Sequence, residues 1–272
     1  MEFETRSGVD VPAVGLGTWQ LTGRTAVDAV ASALELGYRH VDTAQAYGNE
    51  EEVGRAIADA AVDRGDVFLT TKVQPTHRSV EAIVDSMAAS VDRLGVDAVD
   101  LALIHWPHPL ADLETVMAGL DAVVDRGLAR HHGVSNFGRD RLERAMALAE
   151  HPVLTDQVLF HPWWPQRELL EFCQAEGVVL TAYSPLANGG AIGDAVLREV
   201  GEAHGKTGPQ VALRWAIEHD GVVAIPKSSS PAHQRENLEL FDFALSEAER
   251  ERITRPSYLK TGLTSIRGFL GI

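Results

Sequence analysis

An aspartate and a tyrosine lie five residues apart in segment 38–50, YRHVDTAQAYGNE, where a strand-like run gives way to polar residues that can start a helix. Asp42 ends the strand-like run, and Asn49 suits the N-cap of a helix that begins near Glu50. Tyr47 is therefore expected in the loop between strand and helix. In proteins built from repeating strand and helix units, such loops carry the chemistry.

Two more polar residues end apolar runs further along the chain, Lys72 in FLTTKV and His105 in LALIHWP. Asp42 and Lys72 are expected to pair, because either charge buried alone would cost several kcal/mol. A free tyrosine titrates near pH ~10, and a nearby ammonium group stabilises its phenolate and lowers its pKa. Lys72 would thereby make Tyr47 a proton donor, while His105 would hydrogen-bond a substrate oxygen.

Each of these four residues also has a purely structural interpretation. An aspartate at a strand end is commonly a cap or turn residue, Tyr47 can be an aromatic at a rim, and a histidine beside Trp106 can be structural. Four such residues on three consecutive strand ends favour a shared site. By themselves, the residue types and spacings leave both interpretations open.

The rest of the chain alternates strand-like and helix-like segments. Amphipathic stretches with apolar spacings of three and four, such as 80–94 and 113–124, lie between the strand candidates and predict helices. Regular alternation predicts right-handed crossovers and a parallel sheet, and eight units closing on themselves make a (β/α)8 TIM barrel, an α/β fold whose active face lies at the carboxyl ends of the strands. The eight strand candidates are 14–17, 39–43, 67–73, 99–106, 131–136, 155–160, 178–184 and 222–227.

An open doubly wound sheet is the competing architecture. Its nucleotide-binding fingerprint has three glycines after the first strand, whereas Gly15 and Gly17 here lack the third. Around the barrel, residues 3–11 predict an N-terminal hairpin at its bottom, with Ser7 and Gly8 as the turn. Segments 231–239 and 246–254 predict two extra C-terminal helices, and 258–272 has no clear period and is expected to be a loop over one end.

Length and composition favour one domain over residues 1–272 in the cytoplasm. The chain has 45% hydrophobic residues but no apolar run of 18, and its acidic N-terminus does not resemble a signal peptide. A formal charge of -15 argues against nucleic acid as a partner. Cys173 has the spacing of a buried helical residue, which favours a core thiol over a reactive one.

Lysine is scarce among the basic residues. Only four of the 24 are lysines, namely Lys72, Lys206, Lys227 and Lys260. An acidic, lysine-poor surface suits a high-salt cytoplasm, where screening relieves repulsion between like charges. Codon bias in a GC-rich genome is the alternative explanation. In either case, a lysine in an interior strand invites a functional explanation.

Eight ordered motifs carry a resemblance to a known family: VGLGTWQ, GYRHVDTAQAYGNEEEVGRAI, TTKV, VDLALIHWP, GVSNF, QVLFHP, TAYSPLA and IPKSSSPAHQRENL. Together they span nearly the whole chain and resemble the aldo-keto reductases, in particular the compact microbial branch that includes diketo-gluconate reductases. The resemblance implies a (β/α)8 barrel that reduces carbonyl compounds with NAD(P)H. It places a catalytic tetrad on Asp42, Tyr47, Lys72 and His105, in which the tyrosine protonates the carbonyl oxygen and no metal takes part.

The same resemblance implies a set of cofactor-binding residues. Amide and hydroxyl groups bind the nicotinamide carboxamide, an aromatic ring stacks on the nicotinamide, and a cation with a hydroxyl binds the 2'-phosphate. His233 stands where the family usually has an arginine, which weakens the case for NADPH over NADH, although Arg235 lies nearby. NADPH is the predicted cofactor and NADH the alternative. The implied residues are Ser135, Asn136 and Gln157 at the carboxamide, Tyr183 at the ring, Ser184 and Leu186 at the pyrophosphate, Lys227 and Ser228 at the 2'-phosphate, Glu236 and Asn237 at the adenine, and also Thr18, Ile225 and His233.

Substrate identity is less constrained by the sequence. Tyr47 and His105 are expected to contact the substrate. Aromatic walls from Trp19, Trp106 and either Trp163 or Trp164 would favour apolar or aromatic carbonyl compounds. Gln74, where many family members carry tryptophan, predicts a more open and polar pocket suited to keto-sugars. Two alternatives are a redox-sensing subunit that binds the cofactor with little turnover and a Schiff-base aldolase acting through Lys72. A monomer is expected, because no long exposed apolar stripe is evident.

Overall fold

The structure is a computed structural model that describes residues 2–108 and 111–270, with side chains described as far as residue 265. Among the described residues, a two-stranded antiparallel sheet precedes eight parallel strands, which pair in the order of the sequence. Helices cover the outer face of this sheet, so its strands are buried almost throughout. The strands are β1 (Phe3–Arg6), β2 (Val9–Pro12), β3 (Leu16–Gly17), β4 (His40–Asp42), β5 (Phe68–Val73), β6 (Val99–Ile104), β7 (Ala129–Ser135), β8 (Val153–Leu159), β9 (Val179–Tyr183) and β10 (Val222–Ile225).

The first and last parallel strands meet and close the barrel. Val14 and Ala224 form a parallel bridge, and Gly15 N donates to the Ala224 carbonyl oxygen at 2.8 Å. A Cβ atom on Gly17 would lie 2.7 Å from the Ile225 carbonyl oxygen, so only glycine allows this close approach. The predicted (β/α)8 barrel is thus confirmed, and the open sheet is excluded.

Apolar helix faces pack against the outside of the strands. In the helix over residues 80–94, the predicted stripe is buried from Ile83 to Leu94, and each such side chain contributes about 1.5–3 kcal/mol. Within residues 2–108 and 111–270, every helix is too short or too polar to span a lipid bilayer. The helices are α1 (Gly23–Leu36), α2 (Glu50–Asp59), α3 (Val80–Leu94), α4 (Leu113–Asp125), α5 (Arg139–Leu148), α6 (Arg167–Glu176), α7 (Ala195–His204), α8 (Gly208–Ile217), α9 (Pro231–Glu236), α10 (Glu247–Ile253) and α11 (Tyr258–Leu270).

The N-terminal hairpin forms as predicted, from β1 and β2. Ser7 and Gly8 make its turn in the left-handed region, with φ of 52° and 75°. Val11 packs into a cluster with Phe68 and Val179, which open β5 and β9. The hairpin therefore closes the amino-terminal end of the barrel, opposite the predicted active face.

Two of the C-terminal helices were expected. Helix α9 occupies the first part of predicted segment 231–239. In α10, Ser246 and Glu249 form a reciprocal capping box, in which each side chain accepts from the other residue's backbone N–H. Both sequence signals are confirmed.

The expectation of a loop over 258–272 is wrong where the structure describes it, because Tyr258–Leu270 is helix α11. Its barrel-facing side carries Thr261 and Thr264, which are buried, and Lys260, whose ammonium lies 3.5 Å over the Trp163 ring and bonds Asp194. Because the buried side chains described up to residue 265 are polar, the apolar pattern gave no sign of this part of the helix. Residues 271–272 lie outside the described residues.

Large apolar side chains on α11 point toward solvent. Tyr258, Leu259 and Leu263 are 81%, 83% and 64% exposed. They form a short exposed apolar patch, whereas the predicted monomer rests on the expectation that no long exposed apolar stripe exists. The monomer therefore stays a prediction with a weaker basis.

The single cysteine is a core residue, as predicted. Cys173 lies on α6 with 1% of its surface exposed. Burial, together with the nearby Asp156 carboxyl group, raises the pKa of the Cys173 thiol to about 12. The thiolate is therefore scarce at neutral pH, and a nucleophilic role is disfavoured.

Asp156 on β8 is fully buried. One of its oxygens accepts a 3.4 Å hydrogen bond from Phe137 N, and the other has no partner among the described residues. Burial raises the pKa of Asp156 to about 8, and the bond from Phe137 opposes this rise. The unfolded chain ionises near pH ~4, whereas the folded protein keeps the proton, so stability is lost as pH rises from about 4 through 8.

Replacing Asp156 with its neutral isostere should relieve this loss. We expect Asp156→Asn to raise the free energy of unfolding by roughly 2–4 kcal/mol at pH 8 and to change it little at pH 4. Urea unfolding at both pH values measures the difference. Asp28→Asn, at an exposed site on α1, is the control and should have a small effect at both. A gain for Asp156→Asn that is equal at the two pH values would contradict the assignment.

Candidate active site

Three adjacent strands deliver polar side chains to the carboxyl end of the barrel. Asp42 is the last residue of β4, Lys72 the penultimate residue of β5, and His105 follows β6, with its N–H bonded to the Val73 carbonyl oxygen at 3.0 Å. Because neighbouring strands run parallel and in register, these ends meet at the same edge. Tyr47 comes to the same place on a one-turn 3-10 helix between β4 and α2.

Lys72 is the centre of the cluster. Its ammonium nitrogen donates to Asp42 Oδ1 at 2.5 Å, to the Thr43 carbonyl oxygen at 2.9 Å and to Tyr47 Oη at 3.3 Å. These three bonds use all three protons of the ammonium group. The side chains of Lys72 and Asp42 are 1% and 2% exposed, so the predicted buried ion pair is confirmed.

The charged state of Lys72 follows from these contacts. Burial disfavours the ammonium ion, but the Asp42 carboxylate and the Tyr47 hydroxyl outweigh it and raise the pKa of Lys72. A Schiff-base lysine must lose its proton to attack a carbonyl carbon. The geometry therefore disfavours the aldolase alternative.

Tyr47 keeps its proton more firmly than the sequence suggested. Burial raises the pKa of Tyr47 and outweighs the Lys72 ammonium, which lowers it. The expected net lowering is thus wrong in direction, although the contribution of Lys72 has the expected sign. Because Tyr47 Oη accepts a hydrogen bond from Lys72, its own O–H remains directed elsewhere and can donate.

The loop that carries Tyr47 is fixed by amide side chains. Asn49 occupies the predicted N-cap position of α2, but its side chain makes no cap bond. Its Nδ2 instead donates to the carbonyl oxygens of Thr18 and Leu21, at 3.0 and 2.8 Å, and its Oδ1 accepts from Thr43 Oγ1 at 2.7 Å. Asn49 thereby ties the β3 and β4 loops together, a role that spacing along the chain does not reveal.

His105 lies against the tyrosine. The rings of Tyr47 and His105 meet edge to face with centroids 5.6 Å apart. Burial, reinforced by the Lys72 ammonium, lowers the pKa of His105 to about 4. The imidazole is therefore neutral at pH 7 and suited to hydrogen-bond a carbonyl oxygen, while Tyr47 is the group able to deliver a proton.

The residues assigned to the nicotinamide carboxamide lie next to this cluster, at the ends of β7 and β8. Ser135 Oγ donates to the Gln157 carbonyl oxygen at 2.7 Å, and Asn136 Nδ2 donates to Ser135 Oγ at 2.9 Å. Tyr183 Oη donates to Asn136 Oδ1 at 2.8 Å. Gln157 Nε2 donates to Asp42 Oδ2 at 2.7 Å, a contact that the sequence did not indicate.

Three further assigned residues frame this group. Thr18 is buried, and its N–H and hydroxyl both donate to the Asp42 carbonyl oxygen at 3.0 Å. Ser184 has a left-handed φ of 46°, and its hydroxyl bonds Asn188 Oδ1 at 3.0 Å, so the chain turns sharply at the end of β9. Leu186 follows in the same loop, and Ile225 ends β10.

The residues assigned to the adenosine end lie after β10 and on α9. Lys227 and Arg235 are exposed cations that a phosphate can reach, and His233 is also exposed. Ser228 is largely buried, and its hydroxyl donates to the Ser230 carbonyl oxygen at 3.3 Å. Glu236 is half-buried, and Asn237 is buried with its side chain bonded to Tyr38. The Asn136 amide, the Ser135 hydroxyl and the Tyr183 ring lie near the tetrad, and the cations Lys227 and Arg235 lie at the adenosine end. Together these groups fit the chemistry of a nicotinamide dinucleotide.

The tryptophans divide into two groups. Trp106, next to His105, is 49% exposed, and Trp19 and Trp164 are half-buried, so these three remain candidates for the pocket wall. Trp163 is 1% exposed beneath the Lys260 ammonium. The suggestion that Trp163 lines the pocket is therefore wrong, because α11 covers it.

A closed (β/α)8 barrel with a buried Asp/Lys pair, a tyrosine and a histidine at its carboxyl end defines the class of protein. The sequence profile of the aldo/keto reductase family matches residues 13–256. The chain belongs to this family, whose members are oxidoreductases that act on carbonyl compounds and generally use nicotinamide cofactors.

Individual relatives align over most of the chain. An aldo-keto reductase of Mycobacterium sp. (strain KMS) is 42% identical over 249 residues, which cover 91% of this chain and 90% of the relative. The glyoxal reductase of Bacillus subtilis (strain 168) is 39% identical over 248 residues, covering 91% and 89%. The crystal structure of a protein provisionally assigned as 2,5-diketo-D-gluconic acid reductase B has a TM-score of 0.91 at 40% identity, covering 93% of this chain and 90% of that one.

Proposed function

We propose that this protein is an NADPH-dependent reductase that converts aldehydes or ketones to alcohols, with Tyr47 as the general acid of a tetrad completed by Asp42, Lys72 and His105. The observation that carries the proposal is the hydrogen-bonding of Lys72, which donates to both Asp42 and Tyr47. An ammonium group in this position favours the phenolate that forms when Tyr47 gives up its proton. The acidity of Tyr47 therefore depends on Lys72, which the Asp42 carboxylate keeps charged and in position.

In the proposed reaction, a bound nicotinamide supplies hydride to the carbonyl carbon. Negative charge then develops on the substrate oxygen and must be met by donors. Neutral His105 hydrogen-bonds and orients that oxygen, and Tyr47 transfers its proton to it. Lys72 stabilises the resulting phenolate, and Asp42 holds Lys72 in place.

A panel of aldehydes, ketones and keto-sugars tests this function through the loss of NADPH absorbance. Saturable turnover of at least one class is expected. A protein that binds NADPH but turns over none of the panel would instead be the redox-sensing subunit. Trapping of substrate on Lys72 by borohydride would support the aldolase.

Small polar carbonyl compounds are the substrates we favour. Trp106, 49% exposed beside His105, offers one aromatic wall. Gln74 brings a polar side chain where many family members carry tryptophan, and its backbone N–H donates to Gln45 Oε1 at 3.0 Å. Two similar proteins, the glyoxal reductase and the protein provisionally assigned as a 2,5-diketo-D-gluconic acid reductase, support small polar carbonyl compounds as the substrate class. A monomer in the cytoplasm, without nucleic acid or membrane as a partner, completes the proposal.

Lys227 should set the preference for NADPH. It is the exposed lysine that follows β10, and the hydrogen bond of a charged donor contributes about 1.5–3 kcal/mol. We expect Lys227→Ala to raise KM for NADPH by roughly 10-fold or more and to leave KM for NADH nearly unchanged. Steady-state kinetics with both cofactors measure this, and Lys206→Ala, which breaks a pair with Asp242, is the matched control. Equal effects on the two cofactors would place the 2'-phosphate elsewhere.

A further inference from the structure

Both oxygens of the Asp42 carboxylate are engaged, by donors of different origin. Oδ1 accepts from the Lys72 ammonium at 2.5 Å, and Oδ2 accepts from Gln157 Nε2 at 2.7 Å. Asp42 and Gln157 are each 2% exposed, so water does not compete for either bond. Gln157 therefore contacts the tetrad directly, from a strand on the far side of the barrel.

The same glutamine belongs to the polar group beside the tetrad. Its backbone carbonyl oxygen accepts from Ser135 Oγ and from Asn136 N, at 2.7 and 2.9 Å. Asn136 in turn accepts from Tyr183 Oη and donates to the His105 carbonyl oxygen at 3.2 Å. One continuous hydrogen-bond network thus joins the residues assigned to the nicotinamide with Asp42.

We propose that Gln157 is a positioning residue for proton transfer, whose amide holds Asp42 so that Lys72 is shared between Asp42 and Tyr47. Since Gln157 Nε2 is committed to Asp42, its Oε1 is the atom left to accept a hydrogen bond from the cofactor carboxamide. Cofactor binding and the orientation of Asp42 are then coupled through one side chain. This inference rests on the proposed function.

The physical reason lies in the competition for the lysine. Without the Gln157 amide, Asp42 Oδ2 would be a buried acceptor with no donor, which is unfavourable. Lys72 is already bonded to Asp42 Oδ1 and can turn toward this second oxygen. If Lys72 bonds more strongly to Asp42, its longest hydrogen bond, the 3.3 Å contact to Tyr47 Oη, becomes weaker. Tyr47 would then be a weaker acid.

Other titratable groups interact with the residues of this site. Asp42 and Lys72 both act electrostatically on His40 and on His105, and Tyr47 acts on Tyr183. Asp156 lies beside Gln157 on β8 but points to the opposite face, toward Phe137. None of these groups replaces the donor that Gln157 gives to Asp42 among the described residues.

Two substitutions distinguish the positioning of Asp42 by Gln157 from a role in cofactor binding alone. Gln157→Met keeps the size but lacks the donor, and Gln157→Glu has a donor only while it is protonated. In the alcohol-oxidation direction Tyr47 must accept a proton, so activity rises with pH. We expect Gln157→Met to lower kcat/KM about tenfold along this rising limb, equivalent to a shift of about one pH unit. Gln157→Glu should approach the native rate at pH ~6 and fall increasingly below it by pH ~9.

Ser135→Ala is the matched control, because Ser135 belongs to the same polar group but does not touch Asp42. It should weaken cofactor binding without moving the pH profile. Unshifted profiles for both Gln157 variants, with only the Kd of the cofactor changed, would overturn the proposal.

Unfolding of the cofactor-free protein provides a readout that does not depend on catalysis. Gln157→Met should lower the urea midpoint in the native background and clearly less in an Asp42→Asn background, because its partner charge is then absent. Equal penalties in the two backgrounds would overturn the link between Gln157 and Asp42. If the native protein reduces no carbonyl compound, the proposed function fails, and this cycle still decides whether Gln157 holds Asp42.

Discussion

Tyr47→Phe is expected to lower kcat/KM for carbonyl reduction about 10²–10⁴-fold at pH 7 while leaving the Kd for NADPH unchanged. Phenylalanine keeps the ring and its edge-to-face contact with His105, so the packing of the loop is retained. What is lost is the hydroxyl that accepts from Lys72 and donates to the substrate. Cofactor titration by fluorescence and steady-state reduction of a good aldehyde measure the two effects separately.

Tyr258→Phe is the matched control, since this tyrosine is 81% exposed on α11. It should retain native kinetics. If Tyr47→Phe keeps more than about a tenth of native activity, another group supplies the proton. His105 would be a poor substitute, because its pKa is lowered to about 4 and the imidazole carries no extra proton at pH 7.

The same pKa directions fix the pH dependence of reduction. The acid form of Tyr47 is present below its pKa, which burial raises above the ordinary value. His105 is neutral above pH ~4 and does not titrate between pH ~6 and 9. Native kcat/KM for reduction should therefore be flat over this range and fall only at higher pH, as Tyr47 loses its proton.

Much of the barrel could be predicted because its signals are local and repeated. Buried parallel strands read as apolar runs, and helices such as 80–94 show one apolar stripe. The meeting of Asp42 and Lys72, 30 residues apart, follows from the fold itself, because the carboxyl ends of neighbouring parallel strands share an edge. Local pattern and topology together were enough to bring these side chains to one edge, whereas their role as a catalytic tetrad came from the family resemblance and stays a prediction.

Other features depend on side-chain directions that no spacing encodes. The contact of Gln157 with Asp42 crosses the barrel between residues 115 apart. Asn49 holds the right position for a cap but points its amide at two other loops. The direction of the Tyr47 pKa shift is a competition between burial and one ammonium ion, and its sign depends on how deeply the ring is buried.

The C-terminal helix shows a different limit of sequence reasoning. Binary patterning assumes that the buried side of a helix is apolar. Among the α11 side chains that the structure describes, which end at residue 265, Thr261 and Thr264 are buried while Leu259 and Leu263 face solvent. The helix is held by Lys260, which bonds Asp194 at 2.6 Å and lies over Trp163. An inverted pattern of this kind is visible only once the loops beneath the helix are in place.

Lys72→Met should damage both stability and catalysis. Methionine fills the space of the lysine stem but leaves Asp42 buried without its cation, and breaking a buried ion pair in this way costs about 3–5 kcal/mol. Loss of the ammonium also removes the donor to Tyr47 Oη, so kcat/KM should fall by roughly 100-fold or more. Urea unfolding and steady-state reduction measure the two losses. Arg198→Met, which breaks an exposed pair with Glu202, is the control and should cost at most about 1 kcal/mol.

Combining Lys72→Met with Asp42→Asn separates the two roles of the pair. With both charges removed, neither is left buried and unpaired, so most of the lost stability should return, since neutral replacements of a buried pair are often tolerated. Activity should not return, because the donor to Tyr47 is still missing. If the double variant were as unstable as Lys72→Met alone, packing rather than uncompensated charge would be the cause. If it regained activity, the acidity of Tyr47 would not depend on Lys72, and the proposed proton-transfer chain would be wrong.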